Sequence, residues 1–159
     1  GERARVRGGS RENIMRLRLA THDDASWINE RYASVHFLPS DLHRDLLVVA
    51  EIDGVAAGIG RLVPAGDQAC ELGGMLVFEE FRGRGIARAI IDELLHHTNN
   101  RAVYCIPFAE LEPIYAGAGF VRISPQESLP EHIREKLDWC AREIDRPVIL
   151  MELSAQPFA

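Results

Sequence analysis

The sequence has no long apolar run and few cysteines, and these two absences exclude several classes of protein. No stretch of the 159 residues approaches the roughly 18 consecutive apolar residues of a membrane-spanning helix. The three cysteines, Cys70, Cys105 and Cys140, are odd in number, widely spaced and set among apolar residues, which is untypical of a disulfide framework. We therefore expect no membrane partner and buried thiols in a reducing compartment, the cytoplasm.

Signatures of metal and nucleic-acid binding are also missing. No Cys-x-x-Cys spacing occurs, and the neighbouring His96 and His97 point in different directions on a helix. The net charge is -6, and it is more negative without residues 1–13, which carry four arginines against two glutamates. An acidic domain disfavours nucleic acid as a partner, so we expect neither metal nor nucleic acid.

Length and composition indicate one folded domain. A chain of this size buries about 70% of its unfolded surface, and 47% hydrophobic with 26% charged residues is ordinary for a globular protein. Residues 1–13 contain no apolar signal-peptide region and do not begin with methionine. We expect them to be an extension, disordered or left over from expression, ahead of a domain at 14–159.

Alternating and helical patterns of apolar residues predict seven strands and four helices. Asp53-Gly54 is the clearest local signal, a hairpin turn between two apolar runs. The predicted strands are 15–20, 46–52, 55–63, 69–78, 102–106, 120–123 and 148–153, and the predicted helices are 24–33, 85–98, 111–118 and 130–143.

The stretch 72–91, LGGMLVFEEFRGRGIARAII, joins a strand, a basic glycine-rich turn and the start of a helix. The turn is Arg82-Gly83-Arg84-Gly85. A helix N-terminus presents unpaired N–H groups and about half a positive charge, and glycines let a ligand approach closely. The stretch therefore predicts a phosphate cradle. The pair Gly73-Gly74 within the strand indicates a bulge or a close backbone approach.

Two nucleotide-binding motifs do not fit this turn. A dinucleotide fingerprint requires a third glycine where Arg88 stands, and no Gly-Lys-Ser/Thr follows as in a Walker loop. A plain helix entry rich in glycine and arginine is the structural alternative.

The turn resembles the acyl-CoA motif of the GNAT superfamily of N-acyltransferases, Arg/Gln-x-x-Gly-x-Gly/Ala, through Arg82, Gly85 and Ala87. A second GNAT pattern, Tyr-x-x-x-Gly-Phe, follows later in the chain as Tyr115 with Gly119-Phe120. The resemblance covers approximately 15–153. It departs from the family after the fifth strand, where many members have an asparagine, and this leaves the contacts there undefined.

The resemblance implies an α/β (α+β) fold. A single GNAT-like domain has a mixed, mostly antiparallel central sheet of about seven strands, helices on both faces and a splay after strand four. It also implies that acetyl-CoA binds as cosubstrate. The pyrophosphate would lie against the backbone of six residues, Arg82, Gly83, Arg84, Gly85, Ile86 and Ala87. The pantetheine would lie against two strand residues, Leu76 and Val77.

Acyl transfer from a thioester to an amine requires a group that accepts a proton and one that donates it. Glu71 lies at the separation from the turn at which glutamate-dependent GNAT acetyltransferases place their base. Strand alternation puts it on the face of Gly73 and Met75 unless the bulge resets the phase, and desolvation there would raise its pKa. The alternative is an edge-strand carboxylate in water.

Tyr115 matches the tyrosine that protonates the leaving thiolate in the family, and its alternative is a helix tyrosine packed on the sheet. Glu51, Glu79 and Glu80 are weaker candidates for the base. Cys105 has no His–Asp set nearby in sequence and is expected to be a buried thiol.

The helix predicted at 130–143 has one apolar stripe, and Lys136 and Trp139 lie off it. Trp139 either marks a contact surface or lies flat on its own domain. The start Leu129-Pro130-Glu131 is similar to the C-terminal segment of the N-acetylglutamate synthase type. We expect the helix to border the acceptor pocket or a homodimer interface.

These observations predict transfer of an acetyl group from acetyl-CoA to a primary amine of a small molecule, with amino acids among the candidates. The alternative from another class is a non-catalytic acyl-CoA-binding or sensing module.

Overall fold

The computed structural model describes residues 2–8 and 11–155, with side chains from residue 14 onward. The described strands form an eight-stranded sheet in the order β1-β2-β3-β4-β5-β6-β8-β7. The strands are β1 (Glu2–Gly8), β2 (Arg11–Leu19), β3 (Leu46–Ile52), β4 (Val55–Pro64), β5 (Ala69–Val77), β6 (Ala102–Cys105), β7 (Val121–Arg122) and β8 (Met151–Leu153), and the α-helices are α1 (Ala25–Ser34), α2 (Ile86–Leu95), α3 (Glu112–Gly117) and α4 (Glu131–Glu143).

The seven predicted strands correspond to β2–β8, and the four predicted helices to α1–α4. The mixed, mostly antiparallel α/β fold is therefore confirmed. Strand β1 is an addition, since residues 1–13 were expected to lie outside the domain. The backbone of Glu2–Gly8 pairs antiparallel with β2, whose edge offers N–H and C=O groups to a further strand.

Neighbouring strands from β1 to β5 pair antiparallel, whereas β5 and β6 are parallel. The hairpin predicted at Asp53-Gly54 joins β3 to β4, and both residues have positive φ, 49° and 82°. Strand β5 pairs with β6 only along Ala69–Leu72, although its pairing with β4 continues to Val77. The two parallel strands separate after Leu72, so the predicted splay is present.

A bulge lies at the point of separation. The register between β4 and β5 shifts between Ile59 and Arg61, opposite Gly74, which has φ +56°. The Tyr32 hydroxyl donates a hydrogen bond of 2.7 Å to the carbonyl oxygen of Gly74. A Cβ on Gly74 would lie 2.5 Å from that hydroxyl oxygen, so only glycine fits here.

The bulge resets which face of the sheet the β5 side chains occupy. Leu72 and Met75 both pack with the core under α2, although they are three residues apart. Glu71 contacts α4 instead, through His132. The bulge therefore resets the phase, the exception that the sequence analysis allowed, and Glu71 and Met75 lie on different faces because one extra residue inverts the alternation. The cysteine expectation is confirmed, since all three are free and buried.

Candidate active site

The glycine-rich turn opens onto a cavity of about 600 Å³. Gly85 caps α2 in the left-handed region, at φ +76°, and α2 begins at Ile86. Seven of the eight residues predicted to bind the cofactor line this cavity, namely Leu76, Val77, Arg82, Gly83, Gly85, Ile86 and Ala87. Arg84 does not line it, and its guanidinium lies 5.5 Å from the ring centroid of Phe81.

The electrostatics of the large cavity suit a phosphate ligand. The first residues of α2, whose N–H groups lack partners within the helix, line it. A Cβ on Gly85 would meet no atom within 4 Å. Arg82, Arg88 and Arg146 lie in the lining with one acidic residue, Glu110. Arg146 pairs with Glu110 and Arg88 pairs with Asp92. An arginine at position 88, where a dinucleotide motif requires glycine, thus contributes a cation to the cavity wall.

A second cavity of about 80 Å³ lies beside Glu71 at the splay. Its lining includes Arg61, Lys136 and Trp139. The two cavities share five lining residues, namely Phe37, Met75, Phe108, Leu111 and Tyr115. A ligand in the large cavity and a ligand in the small one would therefore meet at these side chains.

Tyr115 is 3% exposed and lines both cavities. Its ring packs edge-on against Phe120, with 5.9 Å between the ring centroids, so the Tyr-x-x-x-Gly-Phe pattern holds the tyrosine in place. Burial raises the pKa of the phenol far above its usual value, and the hydroxyl remains protonated. Within residues 14–155 this hydroxyl has no hydrogen-bond partner.

Glu71 is 3% exposed and is held between two side chains of α4. Its Oε1 lies 2.8 Å from Nε2 of His132, and its Oε2 lies 3.6 Å from Nζ of Lys136. Burial alone would raise the pKa of Glu71, but the His132 hydrogen bond and the charges of Lys136 and Arg61 outweigh it. The pKa lies below its ordinary value, so the expected rise is wrong, and Glu71 is not an edge-strand carboxylate in water.

Sequence reasoning missed the partners of Glu71. His132 and Lys136 are spaced i, i+4 and share one face of α4, which is a visible pattern. The strand residue that they meet lies 61 positions away from His132, and no local pattern specifies that contact. Arg61 is an isolated charge in an apolar run, which is the other signal that could have been used.

The other candidates take structural positions. Glu51 pairs with Arg18 at 3.0 Å, and Glu79 and Glu80 line neither cavity. Burial raises the pKa of Cys105, so its thiol stays protonated, as expected for a core cysteine. Among the described residues, no three His, Cys, Asp or Glu side chains are grouped to hold a metal ion. No helix in the same part of the chain is long and apolar enough to cross a membrane.

The splayed parallel pair, the glycine turn at the start of α2 and the large cavity beside them are the features that the resemblance to the acetyltransferase family predicts. A family model bears this out. The model described as the acetyltransferase (GNAT) family matches residues 13–118, and the chain belongs to this family.

Solved structures share the fold at low sequence identity. Rv2747 from Mycobacterium tuberculosis, solved in complex with CoA, is 20% identical with a TM-score of 0.70, over 89% of this chain and 99% of that one. N-acetylglutamate synthase from Neisseria gonorrhoeae, complexed with coenzyme A and N-acetyl-glutamate, is 14% identical with a TM-score of 0.67, over 90% of this chain and 35% of that one.

The ribosomal-protein-S18-alanine N-acetyltransferase from Escherichia coli is 13% identical with a TM-score of 0.64, over 91% of this chain and 96% of that one. The acceptors in these names range from a free amino acid to a protein, so the likeness shows the fold and leaves the acceptor open. No curated protein sequence matches the chain.

Proposed function

We propose that the protein transfers an acetyl group from acetyl-CoA to a primary amine of a small molecule, by direct attack of the amine on the thioester. The observation that carries this proposal is the meeting of the two cavities at Tyr115, with Glu71 beside the smaller one. A volume of about 80 Å³ favours a small acceptor over a folded protein surface.

The cofactor would occupy the large cavity. In the proposal, the backbone N–H groups from Arg82 to Ala87 bind the pyrophosphate, and Leu76 and Val77 pair with the pantetheine. The splay supports this placement, because β5 has no β6 partner beyond Leu72 and its backbone edge is free for a ligand.

In the proposal, Glu71 accepts a proton as the general base and Tyr115 donates a proton as the general acid. The acceptor ammonium loses one proton to Glu71, directly or through a water, and the neutral nitrogen attacks the thioester carbon. The new C–N bond forms, the C–S bond breaks, and Tyr115 gives its proton to the thiolate and regains one from the amide nitrogen. Because a carboxylate of low pKa is a weak base, we expect Glu71 to contribute at the lower end of the usual range, roughly 10² in rate.

The proposal also covers the identity of the acceptor, the oligomeric state of the protein and its location in the cell. Trp139 lines the small cavity, which supports a role for α4 beside the acceptor. An amino acid is the acceptor that we favour, and N-acetyl-glutamate in the Neisseria relative lends support. A homodimer through α4 and a cytoplasmic location complete the proposal, the latter supported by three free buried thiols.

One observation favours a non-catalytic alternative. Glu71 already has two partners on α4, the His132 ring and the Lys136 ammonium, as in a purely structural ion pair. A sensing module of this kind would bind acetyl-CoA without turning it over.

A screen of small amines, monitored by thiol release from acetyl-CoA, separates the two functions. An acetyltransferase releases CoA only in the presence of its acceptor. A sensor binds the cofactor, as calorimetry would show, and releases no thiol with any amine. The second result would rule out the proposed transfer.

A further inference from the structure

Arg61 is a buried cation at the wall of the small cavity. The residue is 4% exposed, and its guanidinium lies 4.6 Å from the ring centroid of Tyr32. Its Nη1 donates hydrogen bonds to the Leu38 carbonyl at 3.0 Å and to Ser40 Oγ at 3.1 Å. The side chain is therefore fixed by hydrogen bonds to the protein, one of them to Leu38, which also lines the small cavity.

Part of this guanidinium has no protein partner. Nε and Nη2 form no hydrogen bond with any residue in 14–155. Within the same residues, every fully buried side-chain nitrogen or oxygen does have a partner, so these N–H groups are accessible. Because Arg61 is buried and lines the small cavity, we infer that these donors face it. A fixed guanidinium with unused donors is a binding site for a carboxylate or a phosphate.

Lys136 adds a second cation to the same cavity. It is the only lysine of the chain, and its side chain is 17% exposed. The charged residues of the lining are Arg61, Lys136 and Glu71, so the cavity carries more positive than negative charge. The lining therefore holds one acidic residue, Glu71, for its two cations, and the buried Asp45 reaches Arg61 only through Ser40 Oγ, so the lining itself lacks a second direct counterion. An anionic ligand would supply it.

We propose that the acceptor carries an anionic group, a carboxylate above all, and that Arg61 and Lys136 bind this group and determine specificity. The amine of the same molecule would lie toward Tyr115 and the thioester. The inference rests on the proposed function for its substrate, but the anion site itself exists with or without turnover.

The first experiment compares acceptors in matched pairs, each an amino acid and its carboxamide, by thiol release at several pH values. Wild type should prefer the carboxylate by about 10- to 100-fold in kcat/KM, as expected for charge-assisted hydrogen bonds. Lys136→Met should reduce this preference, read as the ratio of kcat/KM for carboxylate to carboxamide, because a change in the basicity of Glu71 affects both acceptors alike and cancels in the ratio. Arg61→Gln should reduce it further if the variant folds.

Arg101→Gln is the matched control, because Arg101 also bonds a backbone carbonyl, that of Thr98 at 2.7 Å, but lines neither cavity. It should leave the preference unchanged. Equal kcat/KM for carboxylate and carboxamide in wild type would overturn the inference while leaving the acetyltransferase proposal intact.

The second experiment measures binding without turnover. Propionate and propionamide are titrated into the CoA complex and followed by saturation-transfer NMR. Propionate alone should bind, and Lys136→Met should weaken it. If no amine releases thiol but propionate still binds in this way, the proposed function fails and the anion site stands. Absence of propionate binding refutes the anion site.

Discussion

Gly85→Glu is the sharpest perturbation of the cofactor cavity. Gly85 has φ +76° at the cap of α2, and a side chain there would project into open space on the cavity side. The substitution places a carboxylate where the pyrophosphate of acetyl-CoA is proposed to lie. It leaves the remaining lining of the cavity intact.

The expected magnitude has two separate parts. A non-glycine residue in the left-handed region costs roughly 1–2 kcal/mol of stability. One carboxylate about 4 Å from a phosphate charge adds about 4 kcal/mol of repulsion at an effective dielectric of 20, and about half that with screening. The second part acts on binding alone, so CoA affinity should fall by roughly 30- to 1000-fold.

Two variants separate strain from charge. Gly54→Glu adds the same residue at φ +82°, also with no atom within 4 Å, in the β3–β4 hairpin away from both cavities. It should lose similar stability and keep its CoA affinity. Gly85→Ala should lose stability through backbone strain but keep most of its CoA affinity, because alanine carries no charge that repels the phosphate. Calorimetry with CoA and urea unfolding supply the two readouts, and a folded Gly85→Glu protein with wild-type affinity would refute the cofactor placement.

The remaining predictions concern four side chains. Glu71→Gln should lower kcat by roughly 10² at constant CoA affinity, and unchanged turnover would exclude the base role. Tyr115→Phe should lower kcat in the same way, and stopped-flow single turnovers would locate the loss in the chemical step. Trp139→Ala should raise the acceptor KM or change the oligomer mass. A variant unaltered in both would show that α4 only packs on the sheet and borders neither the acceptor pocket nor a dimer interface. Hydrogen bonds from Arg18 hold the pKa of Asp24 below its ordinary value in the folded protein. The ionised carboxylate therefore stabilises the fold at pH values above the pKa that Asp24 has in the unfolded chain. This stabilisation is lost as the pH falls through the lower pKa of the folded state. Asp24→Asn should therefore be less stable than wild type at pH 7, with a gap that narrows below about pH 4, and a constant gap in urea unfolding would contradict this.

Local signals in the sequence predicted the elements well. The Asp53-Gly54 turn is a hairpin, as predicted. Asn99 and Asn100, both with positive φ, follow α2, and asparagine in this conformation is typical of the end of a helix. The helix ends at Leu95 rather than residue 98, because its last turn departs from α geometry. Helix α4 ends at Glu143, as predicted, and its cap residue Ile144 is extended, at φ −105° and ψ 125°.

Contacts between distant residues could not be predicted. The sequence identified Glu71 as a candidate, but its pKa depends on His132 and Lys136, which reach it only through the packing of α4 on the sheet. Similarly, Gly73-Gly74 indicated a bulge in β5. Which of the two glycines is the inserted residue depends on where Tyr32 of α1 contacts the strand. Burial and partners, rather than residue type, decide such electrostatics.

The bulge explains how one strand contributes to two cavities. In a regular strand, residues at odd positions share one face, so Glu71, Met75 and Val77 would all point toward α4. The extra residue at Gly74 turns Met75 and Val77 toward α2 while Glu71 remains against α4. The first half of β5 therefore supplies a carboxylate to the small cavity, and the second half supplies an apolar wall to the large one. Since the parallel partner β6 also ends at this point, the change of face and the opening of the sheet coincide, and the two cavities adjoin there at Met75, which lines both.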